Sequence, residues 1–260
     1  MSWILPALFF LVALIYSIAG FGGGSSYIAL LILFEFPYEI IPIIGLACNL
    51  VVSLAGAINF TRAGHFQAKL LSPFLFASMP CAYLAGSMDV SKEIFVFLLA
   101  STLSYASFHL FFGNQKFADK DLIEPGVQKF WVIGVFSGAV IGFLSGVVGI
   151  GGGIFLSPLL YFLRWASPQQ IASLASSFIF LNSLTGLIGQ LSKRAPNDIA
   201  IYVDLLTDYA LLPLVVAVAG LIGSFLGAKK LYGRSIQFAT ALLVCYVSVS
   251  LWWRWIEMIL

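Results

Sequence analysis

Residues 20–24 read Gly-Phe-Gly-Gly-Gly and lie inside a long apolar run. A second copy, Gly-Ile-Gly-Gly-Gly at residues 149–153, lies 129 residues further along the chain in another apolar run. Each glycine in such a run costs a helix about 1 kcal/mol relative to alanine. A helix break inside a bilayer also leaves backbone N–H and C=O groups that protein, water or a solute must satisfy. We therefore interpret the two copies as helix breaks that build a solute site.

The composition of the chain is that of a membrane protein. Its 260 residues are 61% hydrophobic and 9% charged, with a mean hydropathy of +1.03. Soluble domains carry about 25% charged residues. Apolar runs of about 20 residues, the length that spans a bilayer, recur along the chain. The sequence predicts an all-α polytopic membrane protein in contact with the lipid bilayer. Its net charge of +2 forms no basic stripe and gives no support for nucleic-acid binding.

Hydropathy divides the chain into eight apolar segments. The first and fifth contain the glycine copies and are too long for one span, because 32 helical residues would reach about 48 Å across a core of about 30 Å. We predict that each consists of a full helix, a glycine break and a shorter helix or re-entrant arm, which gives 8–10 transmembrane segments. The approximate segments are 3–34, 39–60, 69–88, 92–112, 129–163, 168–191, 207–228 and 235–256.

The chain is predicted to contain two homologous halves. Residues 1–112 form the first membrane repeat, 113–128 a polar connecting loop, and 129–260 the second repeat. Each half contains the glycine copy, a short apolar arm, a proline turn and a matching serine, Ser53 or Ser183. Internal repeats of this kind are typical of transporters. Because matched helix breaks usually accompany an inverted arrangement, we expect inverted repeats.

Helices that restart at Gly24 and Gly153 would direct backbone N–H groups and positive dipole ends towards one place, which favours an anion. Close helix packing is the alternative for the glycines. It suits the four glycines from Gly134 to Gly146, which recur at every fourth residue, better than three glycines in a row. Polar residues of the following spans either line the solute path or form interhelical hydrogen bonds. The predicted substrate-binding residues are Gly22, Gly23, Gly24, Ser25, Asn49, Gly151, Gly152, Gly153, Ser176 and Asn182.

Ionisable residues lie outside the middle of the predicted spans. An embedded proton relay normally needs a titrating side chain, so a coupled proton would be carried by the substrate or by a group near an interface. An enzyme is disfavoured, because neither a serine–histidine pair within the spans nor an H-E-x-x-H motif is supported in a chain with two histidines. The glycine copies are not nucleotide fingerprints, and no cofactor or metal is predicted.

The paired glycine copies resemble those of the TauE/SafE (sulfite exporter, TSUP) family. The proline turns at Pro37 and Pro168, the Ser-Leu-Thr-Gly of 183–186 and the glycine-rich stretch 220–227 resemble that family as well. The resemblance covers essentially the whole chain. It implies a permease for sulfite, sulfoacetate, thiosulfate or a related small sulfur-containing anion. It also implies a bacterial inner membrane.

These observations predict a secondary transporter of a small anion, sulfite or an organosulfur anion. Two repeats would alternate access to a glycine-lined site near the middle of the membrane. An anion channel and a non-transporting membrane subunit remain the alternatives. The substrate within this class, the direction of transport, the coupling ion (a proton or another ion), membrane orientation and homo-oligomer formation are left open by the sequence.

Overall fold

The computed structural model describes residues 3–112, 122–193, 209–229 and 234–259. These ranges contain ten α-helices and no strand, which confirms the predicted all-α class. The helices in chain order are α1 (Ile4–Ile18), α2 (Gly24–Leu33), α3 (Ile41–Arg62), α4 (Ala68–Ser87), α5 (Lys92–Phe112), α6 (Val127–Val148), α7 (Gly153–Leu163), α8 (Pro168–Ser192), α9 (Leu211–Lys229) and α10 (Arg234–Ile259).

Five of the described helices are long and apolar enough to cross a membrane: α3, α4, α6, α8 and α9. Helices α1, α2 and α7 are apolar but shorter, with 15, 10 and 11 residues. A helix of ten residues reaches about 15 Å, half of the hydrocarbon core. The chain is thus an integral membrane protein in which full-length helices accompany short ones.

Most of the predicted connecting loop lies outside the described residues, which resume at residue 122. Residues 122–126 are not helical, and α6 begins at Val127. The second-half loop of 192–208 is also largely outside the described part. The predicted boundaries of the two halves stay a prediction.

Each glycine copy ends one helix and begins the next. Helix α1 ends at Ile18 and α2 begins at Gly24, while α6 ends at Val148 and α7 begins at Gly153. The glycines of the two turns adopt left-handed backbone conformations, which glycine enters without the steric cost that a Cβ brings. The φ angles are +78° at Gly20, +86° at Gly23, +84° at Gly149, +74° at Gly151 and +79° at Gly152. The prediction that the first and fifth segments each form two helices is confirmed, and α6 with 22 residues is the full helix expected before the break, whereas α1 with 15 residues is shorter.

The two turns are the tips of helical hairpins. Helices α1 and α2 run antiparallel, because the Phe9 and Tyr27 rings stack at 4.8 Å and the Tyr16 hydroxyl lies 2.9 Å from Ser26 Oγ nearer the turn. In the second hairpin the chain after α7 returns to the start of α6. There the rings of Phe130 and Trp165 lie 5.6 Å apart. Each glycine turn therefore lies inside the protein, with one helix before it and one helix after it.

Helices α3 and α8 form the centre of the protein and run antiparallel. A methyl group placed on Gly56 of α3 would lie 2.9 Å from Ser176 Cβ, near the start of α8. One placed on Gly186, near the end of α8, would lie 3.5 Å from Leu46 Cδ1 near the start of α3. Helices α5 and α10 also run antiparallel: Ser104 Oγ lies 2.7 Å from Ser248 Oγ, and the rings of Phe97 and Trp252 are 5.6 Å apart.

Helices α3 and α8 occupy matching places in the two predicted halves, as do α5 and α10. Antiparallel packing of counterparts is the arrangement that inverted repeats would produce. The inverted repeat itself stays a prediction.

The glycine face of α6 packs directly on the backbone of α4. A methyl group on Gly138, Gly142 or Gly146 would collide with the carbonyl oxygens of Phe74, Ser78 and Ala82, respectively. Small residues allow this approach of two backbones. The predicted packing role of this face is confirmed. In a matching contact, Gly223 and Gly227 of α9 pack on α1.

Candidate solute site

Asn49, in the middle of α3, lies between the two glycine turns. A methyl group on Gly22 would collide with its side-chain oxygen Oδ1, and one on Gly24 with its nitrogen Nδ2. A methyl group on Gly151, in the second turn, would lie 3.3 Å from the same Nδ2. Because the glycines of both copies have no side chains, the Asn49 amide can occupy the space between the two turns.

Ile179, in the middle of α8, has the matching position on the other side. Its Cγ2 would be 2.7 Å from a methyl group on Gly151 and 3.2 Å from one on Gly22, and its Cδ1 would collide with one on Gly153. Asn49 and Ile179 each precede the matched Ser53 and Ser183 by four residues. The two turns thus meet around one pair of side chains, one polar and one apolar.

The Asn49 amide is fully buried, and neither Nδ2 nor Oδ1 has a hydrogen-bond partner within the described part of the chain. Most buried side-chain polar atoms are paired, because an unsatisfied one costs about 1–3 kcal/mol. An amide in this state offers two N–H donors and one acceptor to a ligand. Asn49 is therefore the side chain at the turns that is best prepared to bind a polar solute.

Ser183 adds a hydroxyl to the same place. Its Oγ is fully buried, has no partner among the described residues, and would be 2.8 Å from a methyl group on Gly151. Its counterpart Ser53 is used differently, since Ser53 Oγ donates to the Asn49 backbone carbonyl at 2.5 Å. The sequence matched these two serines but did not distinguish their roles.

Helix α2 begins beside the Asn49 amide. The backbone N–H groups of Ser26 and Tyr27 donate to the Gly23 carbonyl at 3.0 Å each. The N–H groups that come before them, those of Gly24 and Ser25, have no acceptor within a helix that begins here. Together with the positive end of the helix dipole, such groups form an anion-binding environment. Gly24 and the Asn49 amide thus present donors at the same point.

Two of the predicted glycines face away from the Asn49 amide, Gly23 towards its own hairpin and Gly152 towards α6 and α8. A methyl group on Gly23 would lie 2.9 Å from the Tyr27 hydroxyl and 3.1 Å from Val12 Cγ1. One on Gly152 would lie 2.8 Å from Ile141 Cγ2 and 2.9 Å from the Phe178 ring. Their left-handed backbones shape the turns, while Gly22, Gly24, Gly151 and Gly153 border the shared space.

Ser176 and Asn182, on α8, bond to their own helix. The Asn182 side-chain N–H donates to the Phe178 carbonyl at 3.0 Å, and Ser176 Oγ donates to the Ser173 carbonyl at 3.0 Å. Asn182 Oδ1 is buried without a partner in the described ranges. Neither side chain is among the nearest neighbours of the glycine turns. Both remain predicted site residues. Ser183, which the sequence offered only as a polar residue that could line the solute path, borders the turns, as does Ile179, which was not predicted.

A pocket of about 140 Å³ opens near the second turn. Pro42 and Val147 line it, and Gly149 packs on Pro42 with 2.8 Å between a methyl position and Pro42 Cα. Gln190, also in its wall, donates from Nε2 to the Gly146 carbonyl at 3.0 Å. The rim carries charges of both signs, from Glu39, Asp89, Lys92 and Lys193. Through Pro42, on which Gly149 packs, this cavity lies close to the second glycine turn.

The side chains that meet at the two turns are uncharged. In the described ranges no group of three or more His, Cys, Asp or Glu residues is placed to hold a metal ion. The polar groups beside the shared space include the Asn49 amide, the Ser183 hydroxyl and the N–H groups at the start of α2. Such groups bind and orient a polar solute.

Comparisons with known proteins agree with a transport role. The family model described as "Sulfite exporter TauE/SafE" matches residues 5–251. A "Probable membrane transporter protein" of Sinorhizobium fredii is 28% identical over 247 residues, which cover 94% of this chain and 96% of that protein. A protein of Methanocaldococcus jannaschii with the same descriptive name is 28% identical over 206 residues, or 73% and 72% of the two chains. No solved structure matches the chain.

Proposed function

The chain belongs to the sulfite exporter TauE/SafE family, and we propose that it is a secondary transporter of a small anion, either sulfite or an organosulfur anion such as a sulfonate or thiosulfate. The family match and the two relatives indicate a membrane transporter. The anionic substrate, the alternating-access mechanism and a bacterial inner-membrane location belong to the proposal.

One observation carries the proposal: the unpaired Asn49 amide is buried where the two glycine turns meet. An anion bound there would accept hydrogen bonds from the Asn49 N–H groups, the Ser183 hydroxyl and the first N–H groups of α2. Hydrogen bonds to a charged group each contribute about 1.5–3 kcal/mol. Several of them would compensate for the loss of water around a small anion.

Uncharged donors also suit a carrier that returns empty. A lysine or arginine without a counterion at this depth would be costly to bury whenever the site is vacant. Amide, hydroxyl and backbone donors lose less on desolvation than a charge does. The pocket at Pro42 and Val147 supports access from one side, since Gly149 of the second turn packs on Pro42 in its wall. Opening and closing on the two sides in alternation would then move the anion across.

We expect the Asn49→Asp variant to lose sulfite and alkanesulfonate flux in proteoliposomes by at least about tenfold. The substitution keeps the shape of the side chain but replaces two donors with a negative charge, and tenfold corresponds to about 1.4 kcal/mol. Asn59→Asp is the matched control on the same helix. Asn59 donates to Ser224 Oγ at 2.8 Å, away from the turns. Radiolabelled anion uptake, normalised to reconstituted protein, is the measurement.

Equal flux in Asn49→Asp and the wild type would refute the assignment of the site. Loss of flux in both Asp variants would show only general damage, so thermal stability in detergent is compared in parallel and Asn49→Ser, which keeps a donor, is added. Retention of partial flux by Asn49→Ser and full flux by Asn59→Asp supports the proposal.

The same vesicles separate the alternatives. A carrier shows faster uptake when unlabelled anion is present on the far side, because the loaded form returns more readily than the empty one. An anion channel shows no such acceleration. A non-transporting subunit shows no flux alone and instead copurifies stably with a partner.

A further inference from the structure

We infer that Ile179 determines the substrate specificity of the proposed site, which takes a small anion with a short alkyl group opposite its charge. The inference rests on the proposed function and narrows its substrate to the alkanesulfonate type. It begins from the difference between the two central side chains. Asn49 and Ile179 have matching positions at the turns but opposite polarity.

The side of this space at the start of α2 is polar, and one hydroxyl group lies beside Ile179. Asn49 Oδ1 and Nδ2 contact the positions of Gly22 and Gly24 at the start of α2, and the Ser183 hydroxyl lies by Gly151. All three atoms are buried without partners in the part of the chain described. Of these atoms, Asn49 Nδ2 and the Ser183 hydroxyl can donate to an anionic group, whereas Asn49 Oδ1 can only accept a hydrogen bond.

Ile179 gives the other side a different character. Its Cδ1 contacts the position of Gly153, the first residue of α7, and its Cγ2 lies between Gly151 and Gly22. The branched side chain therefore lies against the start of α7, where a second set of helix N–H groups would otherwise meet the solute. The first residue of α2, Gly24, lies against the polar Asn49 amide, whereas the first residue of α7, Gly153, lies against the apolar Ile179 side chain.

We expect an inorganic oxyanion such as sulfate and an alkanesulfonate to bind at this site with different affinities. Any oxygen that faces Ile179 gives up water without gaining a donor, which is unfavourable. Sulfate carries oxygens in all directions, so at least one must face the isoleucine. An alkanesulfonate can direct its oxygens to Asn49 and Ser183 and its carbon chain to Ile179. We therefore expect ethanesulfonate to bind at least about tenfold tighter than sulfate, equivalent to about 1.4 kcal/mol.

The test compares Ile179→Thr with Ile179→Val in the full-length purified chain. The two variants have nearly the same shape and differ by a hydroxyl in place of a methyl group. Binding of sulfate, methanesulfonate and ethanesulfonate is measured by calorimetry. Ile179→Val should keep the preference for ethanesulfonate. Ile179→Thr should lower the ratio of the ethanesulfonate affinity to the sulfate affinity by about fivefold or more. Calorimetry resolves a change of this size, since a tenfold change in affinity corresponds to about 1.4 kcal/mol.

An equal ratio in the two variants would overturn the role of Ile179. If Asn49→Asp still abolished binding of both anions in that case, the proposed function would stand without this inference. A wild type that binds sulfate as tightly as ethanesulfonate also contradicts the inference. A folded wild type that binds none of the anions defeats the proposed function itself and this inference with it.

Discussion

At the scale of single residues, Asn49 combines a functional position with an unfavourable environment for stability. Its amide is fully buried, and neither polar atom is paired within the described residues. An apolar residue of similar size would avoid that cost, which is about 1–3 kcal/mol for each unsatisfied group. Binding sites often retain such residues at the expense of stability.

We therefore predict that Asn49→Leu raises the thermal stability of the empty protein while anion binding is lost. For a chain of this size about 1 kcal/mol corresponds to roughly 2–4 °C in unfolding temperature. Thermal unfolding in detergent, without and with ethanesulfonate, measures both effects. Asn59→Leu is the control, and it should lower stability because its hydrogen bond to Ser224 is lost. A lower unfolding temperature for Asn49→Leu than for the wild type would contradict the argument.

Some of these residue roles follow from the sequence and others do not. Asn49 was predicted because a polar side chain amid apolar neighbours stands out locally. Ile179 was not, because an isoleucine in a membrane helix has no distinguishing local signal. Its position is visible only when Ser53 and Ser183 are aligned and the residues four places earlier are compared. Whether Ser176 and Asn182 contribute to binding stays a prediction.

At the scale of elements, two separate requirements explain why the turns contain glycine. One is backbone conformation, as the φ angle of +78° at Gly20 shows. The other is space, because a methyl group on Gly20 would collide with the Ala172 carbonyl of α8. The sequence reveals the first requirement, since a run of glycines is a local break signal. It does not reveal which helix packs on the turn, because that depends on contacts between distant segments.

The two requirements can be measured separately. Gly64, in the turn after α3, has a φ of +81° but nothing within 4 Å of a methyl group. Gly64→Ala should therefore show the conformational cost alone, about 1–2 kcal/mol. Gly20→Ala should be more destabilising, because it adds the collision with α8. Unfolding temperatures of the two variants in the same detergent test this order. Equal losses would mean that the turn moves away from α8 at little cost.

At the scale of the whole molecule, the two hairpins bring both glycine turns to the central helices α3 and α8. The first helix of each predicted half packs on a helix of the other half through glycines, which belong to α6 in its contact with α4 and to α9 in its contact with α1. The sequence predicted the small faces and the repeated order of elements. It could not predict that both turns meet at one pair of side chains, because hydropathy contains no information on which spans are neighbours.

The pocket near the second turn is the route by which we expect the anion to reach the glycine turns from one side of the protein. Pro42 and Val147 line it, as does Val90 in the segment between α4 and α5. If the pocket is the access route, a bulky anionic group attached at Val90 should block transport. We predict that Val90→Cys, labelled with a sulfonate-bearing thiol reagent before reconstitution, loses anion flux by at least about tenfold, or about 1.4 kcal/mol.

Val127→Cys is the matched control, because Val127 is 77% exposed at the start of α6 and does not line the pocket. Both variants are made with the partly buried Cys81 and Cys245 replaced by serine. Labelled Val127→Cys should retain its flux, and unlabelled Val90→Cys should transport like its parent. Full flux after complete labelling at Val90 would show that the anion reaches the glycine turns by another route. If bound ethanesulfonate slows the reaction of the reagent with the introduced thiol in the Val90→Cys variant, the pocket is connected to the Asn49 site. A solute held at the second turn would restrict the pocket through which the reagent must pass.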